Sequence, residues 1–219
     1  MAKLFKNLGN NAFTEVENIF LQAGAATANF VDVNNDGLLD VFIAGQYQSN
    51  DYHSRLYINN GNDQFTLHSF EFTGVTTGSS DWADYDQDGF VDLLLTGDTR
   101  VNEESIAVTQ IYKNNGGTSF TLLPTQFPGV SNSSARWGDY DNDGDQDFAI
   151  TGTFTSGVYY TKLYKNNGNN NFTEVTGNFT GVRYSRVRWA DYDSDGDQDL
   201  IITGSNNNNT PSFFKNLQK

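Results

Sequence analysis

The sequence has no cysteine, and it has only three prolines among its 219 residues. The lack of cysteine excludes both a disulfide scaffold and catalysis by a thiol. No run of 18 apolar residues occurs, so we expect no segment that inserts into a membrane. Hydrophobic residues make up only 37% of the chain, and no long apolar pattern with a helical period is present. Short strands joined by turns rich in glycine and asparagine are therefore the expected structure.

Basic residues are also scarce. Thirteen lysines and arginines stand against 27 acidic residues, which gives a formal net charge of −14. Such a charge disfavours nucleic acids and anionic membrane surfaces as partners. Seventeen of the 27 acidic residues lie in four nine-residue segments. Crowded carboxylates repel one another unless a cation neutralises them, so the acidity indicates metal sites and requires no basic partner.

The most informative stretch is WADYDSDGDQDLIITG, which begins at Trp189. Aspartates occupy positions 1, 3, 5 and 9 of a nine-residue loop, and Gly196 stands at position 6. Calcium binds about six to eight oxygen atoms at about 2.3–2.6 Å, which alternate side chains of a tight loop supply, and glycine permits the sharp bend. The apolar run at residues 200–203 is typical of a buried strand. The pattern predicts a strand, a calcium loop and a second strand.

The same unit occurs four times. The other copies begin at Phe30, Trp82 and Trp137, and the first aspartates of successive loops are 52, 55 and 52 residues apart. We name residues 32–40, 84–92, 139–147 and 191–199 loops 1 to 4. Four copies in register at a nearly constant period indicate a repeat protein.

The expected cofactor is Ca²⁺, at about four ions per chain. Position 7 is expected to contribute its backbone carbonyl, because the type of side chain there varies. The predicted ligands are Asp32, Asn34, Asp36, Leu38 and Asp40; Asp84, Asp86, Asp88, Phe90 and Asp92; Asp139, Asp141, Asp143, Asp145 and Asp147; and Asp191, Asp193, Asp195, Asp197 and Asp199. The loops have no evident open position for chemistry, so the expected role of the metal is structural.

A second motif recurs between the loops. Residues 4–16 read LFKNLGNNAFTEV, and similar segments begin at Arg55, Ile111 and Leu163, with part of a further copy at residues 213–216. Asn-Gly between alternating apolar residues predicts a hairpin. Each repeat then has a strand of about five residues before the loop (185–190 in the last copy), an apolar strand after it, and this hairpin. Four strands per repeat are typical of a β-propeller blade.

The Asp-x-Asp-x-Asp-Gly-x-x-Asp loop, followed by an apolar strand and glycine, resembles the FG-GAP/VCBS repeat of integrin α-subunit propellers and of many bacterial surface proteins. The resemblance covers essentially the whole chain. It implies an all-β, calcium-stabilised propeller of four-stranded antiparallel blades, with the ions between the first and second strands of each blade. Asn34 departs from the aspartate of the other copies but offers an acceptable oxygen.

The number of repeats leaves the closure of the propeller open. The family commonly closes with seven blades, whereas four blades would each have to turn by about 90°. The alternatives are half of an eight-bladed ring completed by a homodimer, a ring closed by four blades, and an open fragment. We expect one domain over 1–219, with repeats at about 17–69, 70–124, 125–176 and 177–219, and with 1–16 as a terminal half-repeat that completes a blade.

Two sets of residues have competing interpretations. Trp82, Trp137, Trp189 and Phe30 share one repeat position, for which packing between blades is favoured over a platform for sugars. The two histidines, at 53 and 68, occur in one repeat and are interpreted as polar surface residues. We expect no enzymatic activity, because calcium accounts for the paired carboxylates that would otherwise suggest glycoside hydrolysis.

Specificity is expected in four segments that differ between repeats, at 46–54, 98–104, 153–158 and 205–211, because variable loops on a rigid scaffold usually carry binding. The first functional hypothesis is a non-enzymatic binding or adhesion module with a protein partner. The alternatives are a lectin that binds carbohydrate between blades, and a ligand-free minimal or engineered scaffold. The first residues have no apolar signal segment, so we expect either a cytoplasmic protein or a domain cut from a longer secreted chain. The extracellular or cell-surface location is favoured, because weak calcium modules need about 0.1–1 mM calcium.

Overall fold

A computed structural model describes residues 2–17, 19–124, 127–154, 157–206 and 212–214. Within these ranges the chain forms β-strands and no α-helix. An N-terminal hairpin consists of β1 (Leu4–Gly9) and β2 (Ala12–Val16). Sheet 1 contains β3 (Gly24–Val31), β4 (Asp40–Gln48), β5 (Asp51–Asn59) and β6 (Phe65–Leu67). Sheet 2 contains β7 (Thr76–Ala83), β8 (Asp92–Val101), β9 (Glu104–Asn114) and β10 (Phe120–Leu122). Sheet 3 contains β11 (Ser131–Gly138), β12 (Asp147–Phe154), β13 (Val158–Asn166) and β14 (Phe172–Glu174). Sheet 4 contains β15 (Arg183–Ala190), β16 (Asp199–Ser205) and β17 (Ser212–Phe214).

Each sheet is an antiparallel meander in which the strands lie in the order of the sequence. Sheets 1, 2 and 3 have four strands, as the repeat pattern predicts, and sheet 4 has three in the described part of the chain. Each of loops 1 to 4 joins the first strand of its sheet to the second. The sheets are therefore consistent with propeller blades, and the acidic loops lie at one end of every first strand. Part of the predicted copy at 213–216 lies outside the described residues.

The first strands are longer than predicted, at eight residues each. The difference arises because each strand continues backwards through a β-bulge, where the register with the second strand shifts. A bulge inserts an extra residue and breaks the alternating pattern from which a strand is predicted. One residue in each bulge has a positive φ although it is not glycine: Ala25 (44°), Thr77 (53°), Asn132 (47°) and Tyr184 (49°).

The hydrophobic core consists of layers between adjacent sheets. Phe42 and Ala44 of β4 face Leu93 and Leu95 of β8, all within one buried cluster. Equivalent clusters lie between sheets 2 and 3 and between sheets 3 and 4. The second strand of each inner sheet is buried on both faces, which explains why its sequence is a continuous apolar run rather than an alternating one.

The N-terminal hairpin covers the outer face of sheet 1. Val41 and Ile43 of β4 form a buried cluster with Phe20, and Leu4 of β1 packs against it. Lys6 of β1 forms an ion pair with Asp63 at 2.8 Å. The hairpin is a separate two-stranded sheet that packs beside sheet 1. That residues 1–16 complete a blade stays a prediction.

Within the described residues the sheets do not close into a ring, so a ring of four blades within one chain is not confirmed. At the open face of sheet 4, Ile201 is 45% exposed, whereas Phe42, Leu94 and Ala149 at the same repeat position are fully buried. No further sheet covers this face among the described residues. The angle between neighbouring sheets depends on how all the side chains between them pack, and the sequence of a single repeat does not determine this packing.

The aromatic repeat position is mostly a core position, as expected. Trp137 is buried, and Trp82 and Trp189 pack against the clusters on either side of it. The expectation is wrong for Phe30, which is 61% exposed. This residue lies on the outer side of sheet 1, where the two-stranded hairpin covers less surface than a full sheet.

The predicted variable loops are shorter than expected. Strands β4 and β5 extend through most of 46–54, and β8 and β9 extend through most of 98–104. Asn102 and Glu103, at φ of 50° and 69°, form the two-residue turn between β8 and β9. Parts of the segments at 153–158 and 205–211 lie outside the described residues. No helix suited to crossing a membrane occurs in the described ranges.

Candidate metal centre

The first aspartate of each loop closes the loop through its carboxylate. In loop 3, Asp139 Oδ1 accepts the N–H of Asp143 at 3.1 Å, and Oδ2 accepts that of Gly144 at 3.0 Å. The other three loops repeat both bonds. The glycine at position 6 has φ between 84° and 96° in all four copies, a conformation that side-chain-bearing residues rarely adopt. The predicted bend at position 6 is therefore present.

The ninth residue of loops 1, 2 and 3 connects the loop to the sheet. Asp147 is fully buried, and it accepts the N–H of Tyr140 at 3.1 Å and the N–H of Asn166 at 2.8 Å. Asp40 and Asp92 make the equivalent pairs of bonds. This aspartate joins its own loop to the end of the third strand, which lies about 20 residues further along the chain.

Positions 1, 3 and 9 converge in three of the four loops. In loops 2, 3 and 4 one oxygen from each of these positions lies within 4.8 Å of the other two: Asp84, Asp86 and Asp92; Asp139, Asp141 and Asp147; and Asp191, Asp193 and Asp199. Loop 1 has Asn34 at position 3, whose amide oxygen accepts the N–H of Asp36 at 3.1 Å. Three converging acidic residues provide an oxygen-only donor set, which suits a hard cation such as Ca²⁺.

Positions 5 and 7 are arranged differently. The aspartate at position 5 is not part of the three groups, and its Oδ1 accepts the N–H of position 7 in every loop. In loop 2 this bond joins Asp88 to Phe90 at 3.0 Å. The backbone carbonyls of position 7 stay predicted ligands, because the bonds that the structure gives involve the N–H of these residues.

Buried carboxylate oxygens without a hydrogen-bond partner show that loops 2 and 3 suit a cation. The side chain of Asp141 is only 9% exposed, and its Oδ1 is buried without a hydrogen-bond partner. Asp86 Oδ1, at the same position of loop 2, is also buried and unpartnered. An unsatisfied buried carboxylate oxygen is costly, and a metal ion beside it would remove the cost.

Two lysines beside these sites were not found by sequence reasoning. Lys113 pairs with Asp86 and, at 2.9 Å, with Asp88, and Lys165 pairs with Asp141 and Asp143 in the same way. These ion pairs raise the pKa of both lysines. The available signal was the lysine in the recurring Tyr-Lys-Asn-Asn-Gly segment, which Ile58 replaces in the first repeat. Loops 2 and 3 therefore have an internal cation beside the carboxylates.

The buried aspartates predict how metal-free protein responds to pH. Burial is the main cause that raises the pKa of Asp92 and Asp147 to about 7, and backbone N–H donors oppose it. Between about pH 4 and 7 the folded state therefore binds protons that the unfolded chain has released. The free energy of unfolding of the metal-free protein consequently decreases as the pH rises from about 4 to 7. We expect dialysed, metal-free protein to melt at a higher temperature at pH 5 than at pH 8. The measurement is circular dichroism.

With calcium bound, the protein is expected to melt at a higher temperature at pH 8 than at pH 5, because the metal requires ionised carboxylates. The comparison with the Asp92→Asn, Asp147→Asn variant is the control, since this variant lacks the titrating groups. A higher melting temperature at pH 8 than at pH 5 in metal-free protein would contradict the prediction.

Neighbouring loops are linked to one another by the side chain at position 4. Asn35 Nδ2 donates to the carbonyl of Gly89 at 2.8 Å, and Asn142 Nδ2 donates to that of Gly196 at 2.9 Å. Between these two, Gln87 Nε2 donates to the carbonyl of Gly144 at 3.1 Å. The acceptor is always the position-6 glycine of the next loop, so the four loops form a hydrogen-bonded series across the sheets.

Replacing Asn142 with alanine is expected to weaken the coupling between loops 3 and 4. We expect a loss of about 1 kcal/mol in stability and a less steep calcium titration, since binding at one loop no longer orders the next. Titration calorimetry measures both the affinity and the steepness. Ser194→Ala is the matched control, because Ser194 occupies position 4 without such a bond in the described part of the chain. An equal effect of both variants would refute the coupling.

The two histidines have a more specific setting than sequence analysis indicates. His53 and His68 line one cavity of about 430 Å³ together with Arg55 and Glu71. His53 Nε2 lies 3.1 Å from Asp51 Oδ1, and His68 Nδ1 accepts the N–H of Phe70. Neither histidine belongs to the acidic groups that could hold a metal among the described residues.

The fold and the loops define a class of protein: a β-sheet repeat protein whose acidic loops fit hard divalent cations. A family model described as FG-GAP-like repeat matches residues 32–95 and 84–150. The matches cover more than half of the chain, and the chain belongs to this family of FG-GAP-like repeats. Loop 4 lies outside the matched residues but repeats the hydrogen bonds that the other loops form within themselves. The comparison with curated proteins gives no match.

Proposed function

We propose that the protein is a calcium-stabilised, non-enzymatic binding module. The observation that carries the proposal is the convergence of three acidic residues in each of loops 2, 3 and 4, with a buried and unpartnered oxygen in loops 2 and 3. The residues at positions 1, 3 and 9 would hold the ion, and loop 1 would do so with Asn34. When bound, calcium supplies charge neutralisation, and the chain supplies the rigid sheets.

The binding surface is proposed at the end of the sheets opposite the metal loops. Each first strand runs towards its acidic loop and each second strand runs back, so the turns between second and third strands lie at the opposite end. These turns differ between repeats, as with Ser49 and Asn50 in sheet 1 and Asn102 and Glu103 in sheet 2. Unequal turns on a repeated scaffold favour a single large partner over several equivalent small ligands. An extracellular location, where calcium is abundant, suits this function.

Calcium stoichiometry tests the proposal. Equilibrium dialysis of metal-free protein against calcium is expected to give about four bound ions per chain, with loop 1 the weakest because it has the fewest carboxylates. An Asp84→Ala, Asp139→Ala, Asp191→Ala variant should lose about three ions. Binding of fewer than one ion per chain at 5 mM calcium would refute the metal part of the proposal.

A second copy of the chain is the proposed cover for the open ends of the sheet array. Ile201 is exposed at one end, and at the other Phe30 lines a cavity of about 290 Å³ with Ala2 and Leu4. Exposed apolar sheet faces favour association, and two copies of four sheets would have the eight needed for a closed ring. Light scattering in millimolar calcium is expected to give twice the 24.3 kDa mass of the chain. A mass of one chain at 100 µM would contradict the dimer.

A further inference from the structure

The four β-bulges meet at one cavity on the axis of the sheet array. This cavity has a volume of about 520 Å³, within the range of small-molecule sites. All four first strands contribute to it, and the residues that line it include Ala25, Thr77, Asn132, Ser133, Tyr184 and Arg186. It lies at the starts of the first strands, and therefore at the opposite end from loops 1 to 4.

The bulges repeat in backbone but differ in side chain. Ala25, Thr77, Asn132 and Tyr184 share a left-handed φ of 44° to 53°, which costs energy for any residue other than glycine and most for a bulky one. Because a bulge turns the bulged residue away from the hydrogen bonds between the two strands, these four different side chains line the same cavity. A purely structural bulge would be less strained with glycine at all four positions. The variation indicates a site whose chemistry is set by these side chains.

The polar groups of the cavity are free to bind. The amide of Asn132 and the hydroxyl of Tyr184 have no hydrogen-bond partner among the described residues. The guanidinium of Arg186 donates only to the carbonyl of Ser185, at 2.8 Å, and forms no ion pair in the described ranges. On the opposite side, the hydroxyl of Thr77 donates to Asp98 Oδ2 at 3.1 Å, so this carboxylate is already engaged. Asp81, further along β7, interacts with Arg136 and Arg188.

Arginine is concentrated on the first strands of sheets 3 and 4, which hold four of the six arginines in the sequence. Arg183 and Arg186 lie near the start of β15 at the cavity end, whereas Arg136 and Arg188 lie nearer the metal loops and interact with Asp81. Arg183 stacks on the rings of Tyr159 and Tyr184, with Cζ at 5.0 and 5.1 Å from the ring centroids. This stacking holds the ring of Tyr184 in place while the residue stays 64% exposed. An aromatic ring and a guanidinium that forms no ion pair among the described residues present a flat surface and an anion-binding group together.

We propose that the axial cavity binds an acidic monosaccharide, with Arg186 on its carboxylate, Tyr184 against its ring and Asn132 on its hydroxyl groups. A guanidinium fork matches a carboxylate in geometry and charge, whereas a neutral sugar would leave it unpaired. A simple carboxylate would leave the ring and the amide unused. The inference rests on the proposed binding module, for which it names a ligand class on the face opposite the metal loops.

The test is an NMR titration of the calcium-loaded protein with D-glucuronate, D-glucose and acetate at constant ionic strength. We expect glucuronate to shift the amide signals of Asn132 and Tyr184 with millimolar affinity, and both other probes to bind at least tenfold more weakly. Arg186→Gln should weaken glucuronate binding about tenfold or more, since it removes the charge-assisted pair. Tyr184→Asn, which tolerates the positive φ, should weaken it about fivefold.

Arg55→Gln, on β5 and away from the axis, is the matched control and should bind glucuronate like the wild type. Arg186→Lys is the second variant, since it keeps the charge and loses the fork, and it should fall between Arg186→Gln and wild type. Equal binding of glucose, equal binding of acetate, unchanged affinity of Arg186→Gln, or no shift with 20 mM glucuronate would each overturn the inference. If the melting temperature of the same sample still depends on calcium, the metal-stabilised module stands and the axial site alone fails.

Discussion

Removal of calcium is expected to lower the melting temperature of the protein by roughly 20–40 °C. An ion present at 100 times its dissociation constant stabilises a folded protein by about 2.7 kcal/mol per site. Four sites then contribute about 10 kcal/mol, and each kcal/mol shifts the melting temperature by about 2–4 °C in a chain of this size. Without the ion, the carboxylates of positions 1, 3 and 9 face one another within 4.8 Å in loops 2 to 4.

Scanning calorimetry in 5 mM calcium and in 5 mM EDTA measures this effect. Magnesium at the same concentration is the control, because it requires a smaller and more regular octahedral site and should restore little of the lost stability. The lysines near loops 2 and 3 limit the repulsion in the metal-free state, so the protein is expected to stay folded at 25 °C in EDTA. A melting temperature that differs by less than about 3 °C between the two buffers would remove the metal from the account of this fold.

Replacing Asp147 with alanine is expected to be the most damaging single substitution in the loops, with a loss of about 3–5 kcal/mol even without calcium. The carboxylate is fully buried and accepts the N–H groups of Tyr140 and Asn166. Alanine would leave both donors buried and unpaired, at about 1–3 kcal/mol each, and would leave a cavity. Urea denaturation of metal-free protein measures the change in the free energy of unfolding.

Asp143→Ala in the same loop is the matched control. Asp143 is a partly exposed ion-pair partner of Lys165, so its loss should change metal-free stability by less than about 1 kcal/mol. In calcium, both variants should lose stability, because both positions are predicted ligands. Equal losses for the two variants in metal-free protein would show that position 9 has no structural role of its own.

Much of the local structure could be predicted from the sequence. The loop spacing identified position 6 as a bend. Of the predicted ligands, positions 1, 3 and 9 lie together in loops 2 to 4, whereas position 5 is not part of these groups. The apolar runs identified the second strands, and Asn-Gly segments identified the hairpins. These predictions succeeded because each depends on residues within about ten positions of one another, repeated four times.

The remaining features depend on contacts between distant parts of the chain. Lys113 reaches Asp86 from 27 residues away, and Asn142 reaches Gly196 from 54 residues away. The bulges with Thr77 and Tyr184 have no simple signal, because the residues at that position share no chemical property. The exposure of Ile201 could not be predicted either, because its sequence context is the same as that of the buried residues in the other sheets. Whether the sheets close into a ring depends on the packing between whole sheets, which a local sequence pattern does not predict.

The bond between the ninth loop residue and the end of the third strand also has a consequence for biosynthesis. Asp40 accepts the N–H of Asn59 at 2.8 Å, and Asp147 accepts that of Asn166 at the same distance. In each pair the two residues are only 19 positions apart in the sequence. Each sheet is built from consecutive strands. A sheet can therefore form its internal contacts as soon as its third and fourth strands have left the ribosome. Such short loop closures are fast and lose little entropy. We therefore expect the chain to fold one sheet at a time during translation, with each completed sheet offering its apolar face as the template on which the next one assembles.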